Sequence, residues 1–132
     1  MIKPLQFTVN RPPVSTNKKY ATTKSGGFYV KKESKEFQQA VKDAAFAAVQ
    51  KHGSWPKPED VKQVYLEIIV FNTRHDCSAA EKDVADALEG IVYKNDKVAH
   101  PRFNEISSDG GLKRVQVMVK LLESKDYRWY GG

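Results

Sequence analysis

The chain has 132 residues, of which 40% are hydrophobic and 29% charged, and its formal net charge is +6. This length and composition are typical of one globular domain, and no apolar run is long enough to form a membrane span. A single cysteine excludes an internal disulfide, and the N-terminal residues lack a signal-peptide pattern, so we predict a cytoplasmic protein.

The first part of the chain predicts a strand, a loop and a helix. Apolar and polar residues alternate over 4–10, as in a half-buried strand. Residues 11–27 are rich in Pro, Ser, Thr, Asn, Lys and Gly, which predicts a loop long enough to suggest a functional role. Apolar residues recur at helical spacing over 33–52, and Gly53 ends this run.

The second part predicts a strand, a second helix and two closing strands. Residues 61–72 carry apolar side chains at both odd and even positions, which indicates a strand at the centre of its sheet. A helix with a buried apolar stripe is predicted over 79–88, with Gly90 as its cap. Strands are predicted over 99–106 and 112–122, and the Ser-Ser-Asp-Gly-Gly stretch between them is a hairpin signal.

Together these elements predict an α+β fold in the order β-α-β-α-β-β. We expect a single domain over 1–132, with one mixed or mostly antiparallel sheet packed against two helices. Residues 125–132 contain aromatic side chains without periodicity and are expected to form a tail.

Positive charge is concentrated early in the chain, where seven basic residues but only one acidic residue lie between positions 11 and 35. The basic residues are Arg11, Lys18, Lys19, Lys24, Lys31, Lys32 and Lys35. Clustered positive charge on a polar segment favours binding to a polyanion such as nucleic acid. A solvated surface that only keeps the protein soluble is the alternative, and charge alone does not decide between them.

Two aspartates stand at positions suited to a metal ion. Asp76 follows the central strand, and Asp96 closes the loop after the second helix. Two carboxylates with water ligands are enough to hold Mg²⁺, provided that this loop folds back toward Asp76. Both positions also have a purely structural explanation, because Asp76 or Ser78 suits a helix N-cap and Asn95-Asp96 suits an ordinary turn.

Lys82 and Asp86 lie four residues apart on one face of the predicted second helix, and Ser78 precedes them on that face. An exposed ion pair between Lys82 and Asp86 is the simplest interpretation of this spacing.

Two stretches resemble the motifs of a known family. Residues 11–17, Arg-Pro-Pro-Val-Ser-Thr-Asn, are similar to a Pro-Pro-Ser-x-Asn stretch. Residues 76–96 are similar to Asp-x-Asp-Asn-x-x-Lys, then Asp-Ala-Leu-Asn-Gly-Val and a closing Asp-Asp. With these motifs the chain resembles the RusA-like Holliday junction resolvases, crossover junction endodeoxyribonucleases of bacteria, prophages and phages.

The resemblance implies a homodimer that binds four-way DNA junctions during recombination and repair and cuts them with Mg²⁺. It assigns Asp76 and Asp96 to the metal, with Asp86 as an additional candidate, and Lys82 to the scissile phosphate. Asp76, Lys82 and Asp96 are thus the expected catalytic residues. The residues expected to contact DNA are Arg11, Asn17, Lys18, Lys19, Lys24, Lys31 and Lys32.

The chain departs from the family's pattern at Ser78, where the family has a second Asp. A neutral hydroxyl is a poor ligand for Mg²⁺, and loss of one essential group typically lowers a rate by about 10²–10⁴. Two functions therefore stay open, an endonuclease with a weakened or inactive site and a junction-binding protein of the same fold that does not cut. A basic protein-interaction module is a third.

Overall fold

A computed structural model describes residues 2–13, 20–22, 28–30, 32–73, 79–106 and 110–123. The strands are β1 (Leu5–Val9), β2 (Tyr20–Thr22), β3 (Phe28–Val30), β4 (Val64–Phe71), β5 (Ala99–Ile106) and β6 (Arg114–Leu121). The helices are α1 (Lys32–His52) and α2 (Ala80–Ala87), and a short 3-10 helix spans Asp96–Val98. Neither α1 nor α2 has the length and apolar character needed to cross a membrane.

Four strands form one mixed sheet in the order β1-β6-β4-β5. β4 pairs antiparallel with β6 on one side and parallel with β5 on the other, from Val64 opposite Ala99 to Phe71 opposite Ile106. β1 pairs antiparallel with β6. The predicted α+β class, the mixed sheet and the central position of the strand predicted over 61–72 are therefore confirmed.

The hairpin predicted between the last two strands is wrong, because β5 and β6 do not pair and β4 lies between them. β4 has apolar side chains on both faces, and it gains most from having a neighbour on each side. β5 is mostly exposed and contains Pro101, which cannot donate a backbone hydrogen bond and suits an edge strand.

A second correction concerns the predicted loop over 11–27. β2 lies within this range and pairs antiparallel with β3, which follows it, with Tyr20 opposite Val30 and Thr22 opposite Phe28. Part of the predicted loop is therefore a strand. Each strand has three residues, which is too short for the alternation that marks a longer strand in a sequence.

The core lies between one face of the four-stranded sheet and the two helices. α1 contributes Phe37, Val41 and Ala45, all fully buried. The other fully buried residues of this layer are Val64, Leu66, Ile68 and Val70 of β4, Ala80, Val84 and Ala87 of α2, and Val115 and Val119 of β6. Gly53 ends α1 in a left-handed conformation, with φ of 76°, as its place in the sequence predicts.

Because only one face of β4 packs against the helices, substitutions of its two neighbouring isoleucines should lower the free energy of unfolding by different amounts. Ile68 is fully buried under the helices, whereas Ile69 on the opposite face is partly exposed. We expect Ile68→Ala to lower the free energy of unfolding by about 2–5 kcal/mol, and Ile69→Ala by less than about half of that. Urea unfolding of both variants measures the difference. Equal losses would contradict packing on a single face of the sheet.

Candidate active site

The chain reverses direction immediately after α2. Gly90 adopts φ of 82°, a conformation that side chains disfavour, and its N–H donates to the carbonyl of Tyr93 at 2.7 Å. The N–H of Val92 donates to the carbonyl of Leu88 at 2.9 Å. These bonds close a compact turn that returns the chain toward the helix, as the predicted cap at Gly90 requires.

Two buried aromatic side chains fix this turn against the core. Tyr93 is fully buried, and its hydroxyl donates to the carbonyl of Ala85 at 2.6 Å. The indole N–H of Trp55 donates to the carbonyl of Val92 at 3.0 Å. Because both aromatic donors are satisfied, the loop after α2 is held by directional bonds as well as by apolar contact.

The side chains of Asn95 and Asp96 have different roles in the turn before β5. The side-chain oxygen of Asn95 accepts a hydrogen bond from the backbone N–H of Lys97 at 2.9 Å and so caps the short helix Asp96–Val98. The structural explanation therefore holds for Asn95, while the carboxylate of Asp96 lies toward α2.

Three carboxylates meet where α2 ends and the chain enters β5. Asp86, Glu89 and Asp96 each place one carboxylate oxygen within 4.8 Å of the other two, and we call these residues the acidic cluster. Asp86 and Asp96 are partly buried, whereas Glu89 is exposed. The cluster joins two aspartates singled out in the sequence with a glutamate that was not.

Lys82 lies beside the acidic cluster. Its ammonium nitrogen is 3.6 Å from Oδ2 of Asp86, so the ion pair predicted from their spacing forms. Lys82 and Asp96 also line one groove of about 200 Å³ between α2 and the start of β5. The other residues of the groove are Glu81, Ala85, Ala99 and Pro101.

The electrostatics of the site follow from this crowding of negative charge. Burial raises the pKa of Asp86, the positive charge of Lys82 opposes the shift, and the adjacent Asp96 adds to it. Burial also raises the pKa of Tyr93, and all three carboxylates of the acidic cluster raise it further. The site thus carries a negative potential that Lys82 only partly offsets.

A known protein family covers most of the chain. The model of the family Endodeoxyribonuclease RusA matches residues 10–120 of the chain. The chain belongs to the RusA endodeoxyribonuclease family. A search of curated proteins finds no match. Members of the RusA family are endonucleases that resolve Holliday junctions, and they are generally dependent on a divalent metal.

The structure brings together some of the residues predicted from the sequence. Lys82 and Asp96 line the groove described above, and Asp86 contacts Lys82 and lies beside Asp96 in the acidic cluster. Asp76 and Ser78 lie outside the described residues. The N-cap of α2 is Ala79, one position after the Ser78 expected in that place.

Five of the residues predicted to contact DNA lie outside the described residues, namely Asn17, Lys18, Lys19, Lys24 and Lys31. A guanidinium nitrogen of Arg11 is 2.7 Å from Glu36, and the ammonium of Lys32 is 3.7 Å from the other oxygen of the same carboxylate. Two of the predicted DNA-contacting cations therefore share one acidic partner on α1.

Glu89 is the member of the acidic cluster that the sequence reasoning missed. A signal for it was present, because Glu89 follows Asp86 by three residues, a spacing that places two side chains on one helix face. It also stands where the resembled motif has Asn, so this chain has gained a carboxylate there as well as lost one at Ser78.

The donor atoms of the acidic cluster fit a hard divalent cation. Mg²⁺ prefers oxygen ligands at about 2.1 Å, so oxygens on opposite sides of one ion lie roughly 4 Å apart. The spacing within the cluster, up to 4.8 Å, is close to that requirement. Carboxylates as the donors suit Mg²⁺ or Mn²⁺ better than the softer transition metals.

The raised pKa of Asp86 predicts a pH dependence for the metal-free protein. A carboxyl whose pKa is raised by folding contributes stability at low pH that is lost as the pH rises through the raised value. We therefore expect Asp86→Asn to have a higher Tm than the wild type at pH 7 in EDTA, with a difference that shrinks toward about pH 4. Thermal unfolding from pH 4 to 8 measures it.

Glu81→Gln is the matched control, because Glu81 lies on the same helix and groove but outside the acidic cluster. It should show no gain in Tm at pH 7. A Tm of Asp86→Asn below that of the wild type at pH 7 would show that the ion pair with Lys82 outweighs burial and repulsion.

Proposed function

We propose that this protein resolves four-way DNA junctions by Mg²⁺-dependent hydrolysis of the phosphodiester backbone. The observation that supports this most strongly is that, in a RusA-family domain, the acidic cluster lies beside a groove that Lys82 and Asp96 line. This is the combination of cation, metal-binding carboxylates and open access that phosphodiester hydrolysis needs.

Asp86, Glu89 and Asp96 are the residues that would hold the metal within the described part of the chain. Asp76 is a further ligand that the family resemblance assigns. When bound, the divalent cation supplies a more acidic water as nucleophile and shields the developing negative charge of the phosphodiester.

In this proposal the ammonium group of Lys82 binds the phosphate at the cleavage site. Its side chain is 67% exposed, so the ammonium can turn from Asp86 toward a backbone entering the groove. An exposed ion pair of this kind contributes only about 0.3–0.5 kcal/mol on a helix, so exchanging the carboxylate for a phosphate oxygen is inexpensive. The ammonium then offsets charge that grows on the phosphate as the bond to the leaving oxygen breaks.

The basic residues between positions 11 and 35 would bind the DNA backbone. Contacts to phosphates give affinity that depends on the shape of the DNA more than on its sequence, which suits a junction. Arg11 and Lys32 share Glu36 through exposed ion pairs, and phosphates can replace that carboxylate at little cost.

We further propose a homodimer as the active form. A four-way junction is symmetric and needs two cuts, and a two-fold protein presents two equivalent sites to it. The proposal rests on this symmetry and on the family resemblance.

The acidic cluster favours an active enzyme over a junction-binding protein that does not cut. Ser78 removes one carboxylate from the resembled motif, and Glu89 adds one beside Asp86 and Asp96. The carboxylate lost at position 78 is therefore matched by the one gained at position 89, although the two positions differ along the chain.

The proposed function predicts paired nicks in a synthetic four-way junction in the presence of Mg²⁺ and none in EDTA. A linear duplex of the same sequences is the control substrate, and denaturing gels locate the cuts. Lys82→Met should reduce the cleavage rate by about 10²–10⁴ while junction binding in EDTA changes little. Salt titration of that binding should show a steep loss of affinity if several phosphates are contacted.

Two other outcomes would each favour one of the alternative functions. Tight junction binding without cleavage would identify a non-cutting protein of the same fold. Equal affinity for junction and duplex, or binding that is insensitive to salt, would contradict the proposal and favour a basic protein-interaction module.

The role given to Glu89 predicts a specific loss of metal affinity. We expect Glu89→Gln to raise the dissociation constant for Mn²⁺, measured by the EPR signal of free Mn²⁺, by about tenfold or more, and to slow cleavage in parallel. Asp43→Asn, which alters an exposed acid on α1 that belongs to neither the groove nor the acidic cluster, should leave both unchanged.

The variant Ser78→Asp tests whether Glu89 compensates for the carboxylate that is missing at position 78. If Glu89 replaces the missing carboxylate, restoring an acid at position 78 should increase the cleavage rate only a few-fold. A gain of about 10² or more, together with an unaffected Glu89→Gln variant, would show that the acidic cluster is not the metal site.

A further inference from the structure

The interface between α1 and α2 contains a buried carboxylate that the proposed reaction does not use. Asp83 is 1% exposed, and Ser34, which contacts it, is fully buried. Oδ2 of Asp83 accepts a hydrogen bond from the hydroxyl of Ser34 at 3.2 Å, and Oδ1 accepts one from the side-chain amide of Gln38 at 2.9 Å. Both donors lie on α1, four residues apart and therefore on one face.

An apolar residue would be the simpler choice at this position. Asp83 is buried on a helix that packs against α1, and the core contains Phe37 and Val41 of α1 and Ala80 and Val84 of α2, all fully buried. A buried carboxylate is expensive to desolvate, and well-packed hydrophobic residues often replace a buried polar network without loss of stability. The network therefore calls for an explanation other than stability.

The position of α2 depends on contacts with the rest of the protein. α2 has only eight residues, too few to be stable alone, and the methyl side chain of its N-cap residue, Ala79, cannot cap it. Much of its buried surface consists of small side chains, Ala80 and Ala87 among them. Such a smooth surface resists rotation of the helix weakly, whereas two hydrogen bonds to one carboxylate fix it in direction and distance.

Rotation of α2 matters because of what the helix carries. Lys82 precedes Asp83 by one residue and Asp86 follows it by three, so both side chains project about 60–100° to the same side of Asp83. A group roughly 6 Å from a helix axis moves about 1 Å for each 10° of rotation. A displacement of about 1 Å can lower a catalytic rate on the order of 100-fold.

We propose that Asp83 is a positioning residue that fixes the rotation of α2 on α1, so that Lys82 lies in the groove and Asp86 lies beside Asp96 in the acidic cluster. The proposal rests on the nuclease function put forward above for its effect on cleavage. Its effect on metal binding does not depend on that function.

The network also links the two parts of the molecule that DNA would contact. Ser34 lies in the first turn of α1, two residues after Lys32 at the end of the basic segment. Asp83 is adjacent in sequence to Lys82 at the groove. Hydrogen bonds to Asp83 therefore connect the start of α1 with the helix that carries Lys82 at the groove.

The test replaces the network by apolar side chains in the full-length protein. In Ser34→Ala/Asp83→Leu the hydroxyl and the carboxylate disappear together, and Gln38, which is only partly buried, can turn toward water. We expect a Tm equal to or above that of the wild type, an Mn²⁺ dissociation constant about tenfold higher, and cleavage of the junction slowed by about 10–100-fold. The dissociation constant for the junction in EDTA should stay within about twofold of wild type, because phosphate contacts outside α2 dominate it.

Asp83→Asn is the conservative variant. Its amide oxygen can accept from Gln38 and its amide nitrogen can donate to the hydroxyl of Ser34, so Mn²⁺ affinity and cleavage should stay near wild type. A double variant with wild-type Mn²⁺ affinity and rate would overturn the proposal. So would an Asp83→Asn variant as impaired as the double variant, since the charge rather than the hydrogen bonds would then be responsible.

Two further measurements test the proposal if the double variant does not fold or if the wild-type protein does not cut the junction. If the double variant does not fold, Gln38→Leu removes one hydrogen bond at a partly buried position, and wild-type Mn²⁺ affinity in that variant would overturn the proposal. If the wild-type protein does not cut the junction, the nuclease function fails. The Mn²⁺ affinities of the same variants then still decide the role of Asp83.

Discussion

The parallel pairing of β4 and β5 is the constraint on which the site depends. Two parallel neighbours cannot be joined by a tight turn, so the chain must cross over the sheet between them, and here α2 makes that crossing. The crossover brings the end of α2 next to the residues that lead into β5. Asp86 and Glu89 from one side and Asp96 from the other meet there because of this connection, and the turn held by Tyr93 sets their spacing.

Stability and function are opposed at this point of the fold. Three carboxylates within 4.8 Å of one another repel, and the raised pKa of Asp86 reflects its burial together with the influence of Asp96. A divalent cation would relieve the repulsion, and its binding would add to the stability of the folded state by linkage. On the proposed function, the protein tolerates the repulsion in the metal-free state because the surrounding core stabilises the turn independently.

Periodicity predicted the elements whose own residues determine them. The approximate bounds of α1 and α2 and the central place of β4 followed from apolar spacing, and Lys82 and Asp86 were placed together by their spacing on one helix. The partner of each strand did not follow, because a Gly-rich turn before β6 looks the same whether or not β5 pairs with it. Glu89 was missed for a similar reason, since its proximity to Asp96 is created by the turn at Gly90 rather than by spacing alone.

The distribution of charge gives the metal a second role in the proposed reaction. The net charge of +6 attracts polyanions, but the acidic cluster beside Lys82 holds three carboxylates that repel a phosphate. Lys82 offsets one of these charges, so a backbone that approaches the cluster would meet net repulsion until a cation neutralises the rest. On the proposed function, binding and cleavage are separated, because the basic residues between positions 11 and 35 would hold a junction without metal, while only the metal-bound site would accept the phosphate. In a nuclease that must recognise a structure before cutting it, this order of events favours selectivity.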